Sequence, residues 1–291
     1  MTKIVKNYGR SVRDRLLNLS KEETIPFMTL LVRYLQERLL YRVSQSTFHD
    51  NLYLKGGALL YAHQQEKSRP TKDIDFLGQH ISNDKVFVKS MFGKIVAIPC
   101  EIDGVVFDSD NIEAINITED KEYHGVRLTI LATMDTIRQK ISIDIGFGDV
   151  MVPAPQCLDY PVLLDDVPNV SVLAYSLETV VAEKFEAMIS LSVDNSRMKD
   201  FFDVYRILET EKLTPSLLKE AIIHTFRNRG TPYKENHPLF EYSFFKNEKR
   251  QIQWRAFLRN IKWKEPISFE KVGKIIIESL MPYWRMLESM V

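Results

Sequence analysis

The chain has 291 residues, 45% of them hydrophobic, with 39 Lys and Arg balanced by 39 Asp and Glu. That length suits one large or two modest domains with a buried core, and overall neutrality alone argues against a dedicated nucleic-acid binder. Cys100 and Cys157 give neither a zinc pattern nor a disulfide framework, and no run approaches the ~20 apolar residues of a membrane-spanning helix.

Charge is unevenly spread. Residues 212–291 hold 15 Lys and Arg against 8 Asp and Glu, a net of +7, which leaves −7 on residues 1–211. Such asymmetry points to an anionic partner for the basic part. Residues 1–14 are polar and basic with no apolar core, unlike a secretory leader. The cytoplasm is the expected compartment.

Leu16, Leu19, Leu30, Leu31, Tyr34, Leu35 and Leu39 recur at helical intervals and predict helices over 10–46. Pro26 is expected in the first turn of the second helix. Leu52 and Leu54 predict a short buried strand, Gly56 and Gly57 a turn, and Ala58 to Tyr61 a helix reaching about Lys67. Asp73 and Asp75 alternate with Ile74 and Phe76, which predicts a second strand. A helix follows over 83–98. Strands are then expected at 105–107, 112–117, 126–134 and 139–145, punctuated by Gly104, Gly125 and Asp108-Ser109-Asp110. Pro153, Pro155, Pro161 and Pro168 predict an irregular connector over 151–170 and a domain boundary within it. Beyond it the pattern is helical, interrupted at Pro215, Gly230-Thr231-Pro232, Pro238 and Pro266. There is no internal repeat and no low-complexity tract.

The chemistry concentrates at the glycine turn and the Asp-Ile-Asp strand. Glycines at a strand-to-helix turn let backbone N–H groups approach a ligand, and a helix N-terminus favours an anion. That combination suits a phosphate. Asp73 and Asp75, at i and i+2, share one face about 7 Å apart along the strand and can hold magnesium. Asp144 alternates with Ile143 and Ile145 in the same way. If its strand neighbours the first, three carboxylates could share two magnesium ions roughly 3.5–4 Å apart. Asp-x-Asp alone is common in any half-exposed strand; joined to Gly56-Gly57 and Asp144 it favours a site. Arg69 precedes the strand and is a candidate for a phosphate contact or an ordinary surface arginine.

Leu177, Val180, Val181, Phe185 and Met188 define a helical apolar stripe with Lys184 in its middle. Two readings are open: a stem that snorkels to solvent, or an ammonium that meets a triphosphate. On the next helix Phe201, Val204, Tyr205 and Leu208 form the apolar face. Asp203 points away from it, Asp200 is intermediate, and Arg197, Lys199 and Arg206 offer them helix salt bridges. Segment 244–264 carries Lys246, Lys249, Arg250, Arg255, Arg259, Lys262 and Lys264 with Glu248 as its one acid. Phe244, Phe245, Trp254, Phe257 and Trp263 interleave. An RNA surface with stacking aromatics and an amphipathic helix with aromatics inward carry equal weight. The six histidines form no metal spacing.

Lys55-Gly56-Gly57, Arg69-Pro70-Thr71-Lys72-Asp73-Ile74-Asp75 and Ile143-Asp144-Ile145-Gly146-Phe147-Gly148-Asp149 resemble the AbiEii/AbiGii toxins of the DNA polymerase β-like nucleotidyltransferase superfamily. Glu183-Lys184-Phe185-Glu186-Ala187 and the run from Arg197 to Tyr205 resemble that family's lysine helix and its Arg-x-Lys-Asp-x-x-Asp helix, and Glu37 to Arg42 also has its look. The likeness runs from about residue 10 to 210; the spacer of fifteen residues before Asp73 is longer than usual for the family. The resemblance implies an α+β fold: a polymerase β-like domain with a mixed sheet and flanking helices over 1–165, then a helical domain over 166–291. It implies that Lys184 meets the triphosphate and that Asp200 or Asp203 works with it.

The expected function is a Mg2+-dependent nucleotidyltransferase toxin of a toxin–antitoxin or abortive-infection system. It would move a nucleoside monophosphate from an NTP to an acceptor and release pyrophosphate. Asp73, Asp75 and Asp144 are the expected metal ligands for two ions, with Lys184, Asp200 and Asp203 completing the catalytic set. Gly56, Gly57, Arg69 and Lys184 are expected at the NTP, and Lys249, Arg250, Arg255 and Arg259 at RNA. The resemblance implies RNA, tRNA above all, as acceptor, and a cognate antitoxin with or without direct contact. The alternatives are transfer to a small molecule or a protein hydroxyl, or a catalytically silent nucleotide- or RNA-binding protein.

Overall fold

The computed structural model describes residues 7–120 and 123–288; the first six residues, part of the stretch read above as no leader, lie outside them. The chain divides into two units. One comprises the residues through His63 with Pro70–Gly148 and Gln156–Ala174, and the other comprises Gln64–Arg69, Asp149–Pro155 and Tyr175 onward. The boundary expected at residue 165 falls inside the first unit, because the proline-rich stretch holds a strand that pairs with the next one.

Two helices open the first unit, α1 (Tyr8–Glu22) and α2 (Phe27–Ser44). Asn7 caps α1 by accepting the Arg10 N–H at 2.9 Å. Pro26 stands at the N-cap of α2, one position before the expected first turn. Most of α2 is buried, including Glu37, Arg38 and Arg42. These charges are paired: Arg38 Nη2 lies 2.6 Å from Glu37 Oε1, and Arg42 Nη1 lies 2.7 Å from Asp103 Oδ2. A buried charge survives only with such partners.

A single mixed sheet follows. Its strands are β1 (Leu52–Lys55), β2 (Asp73–Gly78), β3 (Val106–Phe107), β4 (Glu113–Asp120), β5 (Tyr123–Met134), β6 (Ile137–Phe147), β7 (Gln156–Tyr160) and β8 (Val170–Ala174). The order is β3-β5-β6-β2-β1-β8-β7, with β4 also on β5. The β2–β6 and β1–β8 pairs are parallel; β1–β2, β5–β6 and β7–β8 are antiparallel. Helices α3 (Gly56–Gln64) and α4 (Lys85–Val96) connect strands. Asp84 caps α4, accepting the Val86 and Phe87 N–H groups at 2.9 Å. Ile74, Phe76, Leu128, Ile130, Ile143 and Ile145 are buried on the strands' core-facing positions.

The second unit is helical: α5 (Leu177–Leu191), α6 (Met198–Thr210), α7 (Pro215–Asn228), α8 (Tyr242–Lys246), α9 (Glu248–Asn260) and α10 (Phe269–Glu288). Ser176 caps α5 by accepting the Thr179 N–H at 3.1 Å. An aromatic core holds the unit. Phe202 lies 6.2, 5.6 and 5.0 Å from Trp254, Phe257 and Trp263, and Phe201 lies 5.3 Å from Phe269 (ring centroids). A mixed α+β sheet unit and a helical unit are thus both present. Among the described residues no helix is long and apolar enough to cross a membrane.

Candidate active site

Strand alternation builds the site in the first unit. Ile74 and Phe76 point into the core, so Asp73 and Asp75 occupy the opposite, half-buried face of β2. The register then brings charged residues together. Asp75 is the partner of Asp144 across β2–β6, Lys55 of Asp75 across β1–β2, and Arg127 of Asp144 across β5–β6. Directly paired residues share a face, so Lys55, Asp75, Asp144 and Arg127 form a row across four neighbouring strands. A cation ends the row at each side.

The glycine turn is fitted to this row. Gly56 opens α3 with φ +68°, a conformation that costs glycine little and other residues more. A Cβ there would lie 2.0 Å from Asp75 Oδ2, so the carboxylate rests against the turn's backbone. At Gly57 a Cβ would lie 2.7 Å from the Cβ of Thr71. The Thr71 hydroxyl donates to the Asp73 carbonyl at 3.1 Å and ties the segment before β2 to the strand.

Asp144 has a partner that sequence reasoning missed. Arg127 donates to both its oxygens, Nε to Oδ1 at 2.7 Å and Nη2 to Oδ2 at 2.6 Å. The hydrogen bonds and then the charge of Asp144 raise the Arg127 guanidinium above its ordinary value, with smaller contributions from Asp73 and Asp75. Arg127 therefore lies in the field of all three carboxylates. Nothing in the local sequence marks it; only the β5–β6 register does. Among the described residues, no group of three His, Cys, Asp or Glu side chains converges as a metal site. Asp73 and Asp75 offer the hard oxygen donors that Mg2+ prefers, while both oxygens of Asp144 accept from Arg127.

The second unit holds an ion cluster. Lys184 Nζ lies 2.7 Å from Asp200 Oδ1 and 2.9 Å from Asp203 Oδ2. Arg69 donates to both oxygens of Asp203, at 2.9 and 3.1 Å, and Arg197 Nε lies 2.8 Å from Asp200 Oδ2. Both aspartate side chains are 1% exposed. This corrects the helical-wheel placement of Asp203 away from the packed face and of Asp200 at its margin. Lys184, Arg69 and Arg197 surround them. Burial pushes Asp200 up, but Lys184 and Arg197 hold it below the ordinary carboxylate value. Lys184 likewise stays above its ordinary value, because Asp200 and Asp203 overcome the opposing effect of burial.

The basic segment resolves into α8, α9 and the turn after them. Phe244, Phe245 and Trp254 are buried and all five aromatics join the core's ring contacts. The three buried rings are not available for base stacking, in keeping with the amphipathic-helix alternative, while Phe257 and Trp263 are half-buried. Lys249, Arg255 and Arg259 are exposed on one face of α9. Arg250 is different. It lies over the Phe244 ring, 4.0 Å from the centroid, and donates to the Val193 carbonyl.

A glycine turn set against an aspartate pair on a mixed α+β sheet is the equipment of phosphoryl or nucleotidyl transfer. Residues 38–274 match the family model described as the nucleotidyl transferase AbiEii toxin of type IV toxin–antitoxin systems. The chain belongs to that family and is a nucleotidyltransferase toxin of a type IV system. Two solved structures are similar to it. The crystal structure of JHP933 from Helicobacter pylori is 14% identical with a TM-score of 0.46, covering 88% of this chain and 94% of that one. A candidate nucleotidyltransferase from H. pylori is 13% identical with a TM-score of 0.46, covering 87% and 94%. No curated protein matches the chain.

Proposed function

We propose that the chain transfers a nucleoside monophosphate from an NTP to an RNA acceptor, with tRNA the foremost candidate, and releases pyrophosphate. An acceptor hydroxyl oxygen forms a bond to the α-phosphorus. The bond from that phosphorus to the oxygen bridging the β-phosphate breaks, the pyrophosphate leaves with that electron pair, and the hydroxyl proton passes to a carboxylate or to water. The observation that carries this reading is the placement of Asp73 and Asp75 on one face, with Asp75 against the Gly56 turn and Asp144 beside it in register.

Asp73 and Asp75, with Asp144, are the residues that would hold Mg2+. When bound, the ion supplies charge stabilisation for the phosphates and lowers the pKa of the attacking hydroxyl. The Gly56-Gly57 turn is proposed to receive a phosphate at the start of α3. Lys184, Asp200 and Asp203 are proposed to contribute to turnover because their helices carry the family's motifs, and Arg69 because it donates to both oxygens of Asp203. The RNA assignment is supported by the exposed cations of α9 and the net +7 of residues 212–291.

The test is incubation of the protein with each labelled NTP, Mg2+ and total cellular RNA. Label on tRNA supports the proposal; label on protein, or none, overturns the RNA acceptor. Asp73→Asn and Asp75→Asn should fold normally, lose at least ~10³-fold in transfer and no longer arrest growth when expressed. Full activity in either variant would remove the metal assignment.

A further inference from the structure

We propose that Arg127 is a positioning residue that occupies Asp144 in the metal-free chain and competes with the divalent cation for it. The inference rests on the metal reading of Asp73, Asp75 and Asp144.

The geometry is specific. A guanidinium that meets both oxygens of one carboxylate at 2.7 and 2.6 Å makes the strongest form of a side-chain ion pair. The pair is fixed from the backbone, since Arg127 and Asp144 are register partners on antiparallel strands. Its neighbour in the row is a second carboxylate, Asp75, one strand further on. Two carboxylates in adjacent register repel, and a bare site needs positive charge beside them. Arg127 supplies it at Asp144. A divalent cation at the same carboxylates supplies the same compensation, so the two cations cannot both have full use of Asp144. Arg127 is also 42% exposed, so its head has room to leave the carboxylate without opening the core. On this account the acidic face is held in order before loading, and the third carboxylate becomes available only as the ion arrives.

The measurement is Mn2+ binding to the full chain without NTP, followed by electron paramagnetic resonance, with an Mg2+ titration of melting temperature alongside. Arg127→Met should bind Mn2+ roughly tenfold more tightly than the wild type, the size of one competing interaction. It should also melt lower without metal and gain more from Mg2+ than the wild type gains. Arg127→Lys keeps the charge but cannot make the two-pronged contact, so it should fall between the two. It also carries the test should Arg127→Met fail to fold. Weaker or unchanged Mn2+ binding in Arg127→Met would overturn the proposal, as would Arg127→Lys binding like the wild type while Arg127→Met binds more tightly, which is a bare charge effect. An Asp75→Asn control separates the two levels of inference. If Mn2+ binding in the wild type does not depend on Asp75, the metal reading itself is overturned, and this proposal with it.

Discussion

At the scale of single residues, Lys184 shows how a packed lysine is tolerated. Its ammonium sits between two carboxylates that are themselves removed from water, and Arg69 and Arg197 close the cluster at its outer ends. Removing one member of such a cluster leaves charge buried without compensation, which costs about 3–5 kcal/mol. Lys184→Met is therefore expected to lower stability by roughly 3 kcal/mol at neutral pH, measured by urea unfolding. The pH dependence has a definite sign. Asp200 is held below its ordinary value in the wild type, so its contribution is present above the unfolded aspartate value of about 3.9 and is lost as pH falls through the folded value. The gap between wild type and Lys184→Met should shrink as pH falls through that acid range. A gap that stays constant would show that Lys184 is not what holds Asp200 ionised. If Lys184→Met is stably folded and still transfers nucleotide at the wild-type rate, the lysine's role is structural alone.

At the scale of elements, α2 carries more charge in the core than its leucine pattern suggests. Leu30, Leu31, Leu35, Leu39 and Leu40 are buried around most of the helix, and Glu37 and Arg38 are buried among them. Glu37 accepts the Leu163 N–H at 2.8 Å, and Arg38 donates to the Pro168 carbonyl at 2.9 Å. The helix thus clamps the segment between β7 and β8, which is how proline-rich residues that resemble a linker stay in the sheet unit. Burial pushes Glu37 up to about 7, with Arg38 and the Leu163 N–H only partly opposing it. Between the unfolded value near 4.5 and the folded value near 7, the folded chain binds the extra proton. Stability from this group is therefore full below the window and falls as pH rises through it, by a total on the order of 3 kcal/mol. Glu37→Gln should remove that slope, so the difference in unfolding free energy between wild type and variant should change between pH 4.5 and 7 and level off above. A difference that does not vary with pH would mean Glu37 titrates normally.

At the scale of the whole molecule, a chain of zero net charge is divided between an acidic stretch and a basic one. The structure narrows which cations can serve a polyanion. Arg250 is committed to Phe244 and Val193, while Lys249, Arg255 and Arg259 face solvent from α9. RNA affinity should fall with salt by about 0.7 log units per phosphate contact for each tenfold rise in salt. Reversing Arg255 and Arg259 to Glu should flatten that slope by about 1.4 and leave NTP binding without RNA unchanged. If neither affinity nor slope moves, RNA docks elsewhere; if NTP binding drops too, the helical unit has been destabilised.

The sequence by itself determined the order of helices and strands up to residue 147, the glycine turn, the Asp-Ile-Asp strand and the family. Each is a local pattern, and alternation of Ile74 and Phe76 with aspartates needs no distant contact to be read. Pairing is not local. That Asp144 meets Arg127, that Asp203 is buried against Arg69, and that residues 156–174 join the sheet all depend on register or on segments far apart in the chain. The aromatics of 244–264 fitted an RNA face and a core equally well until their partners Phe201 and Phe202 were in place. A helical wheel ranks faces by apolar content and so cannot foresee an aspartate buried by its cations. Those ion pairs, and with them the availability of each carboxylate, were decided by tertiary structure alone, because only there does desolvation compete with a partner's charge.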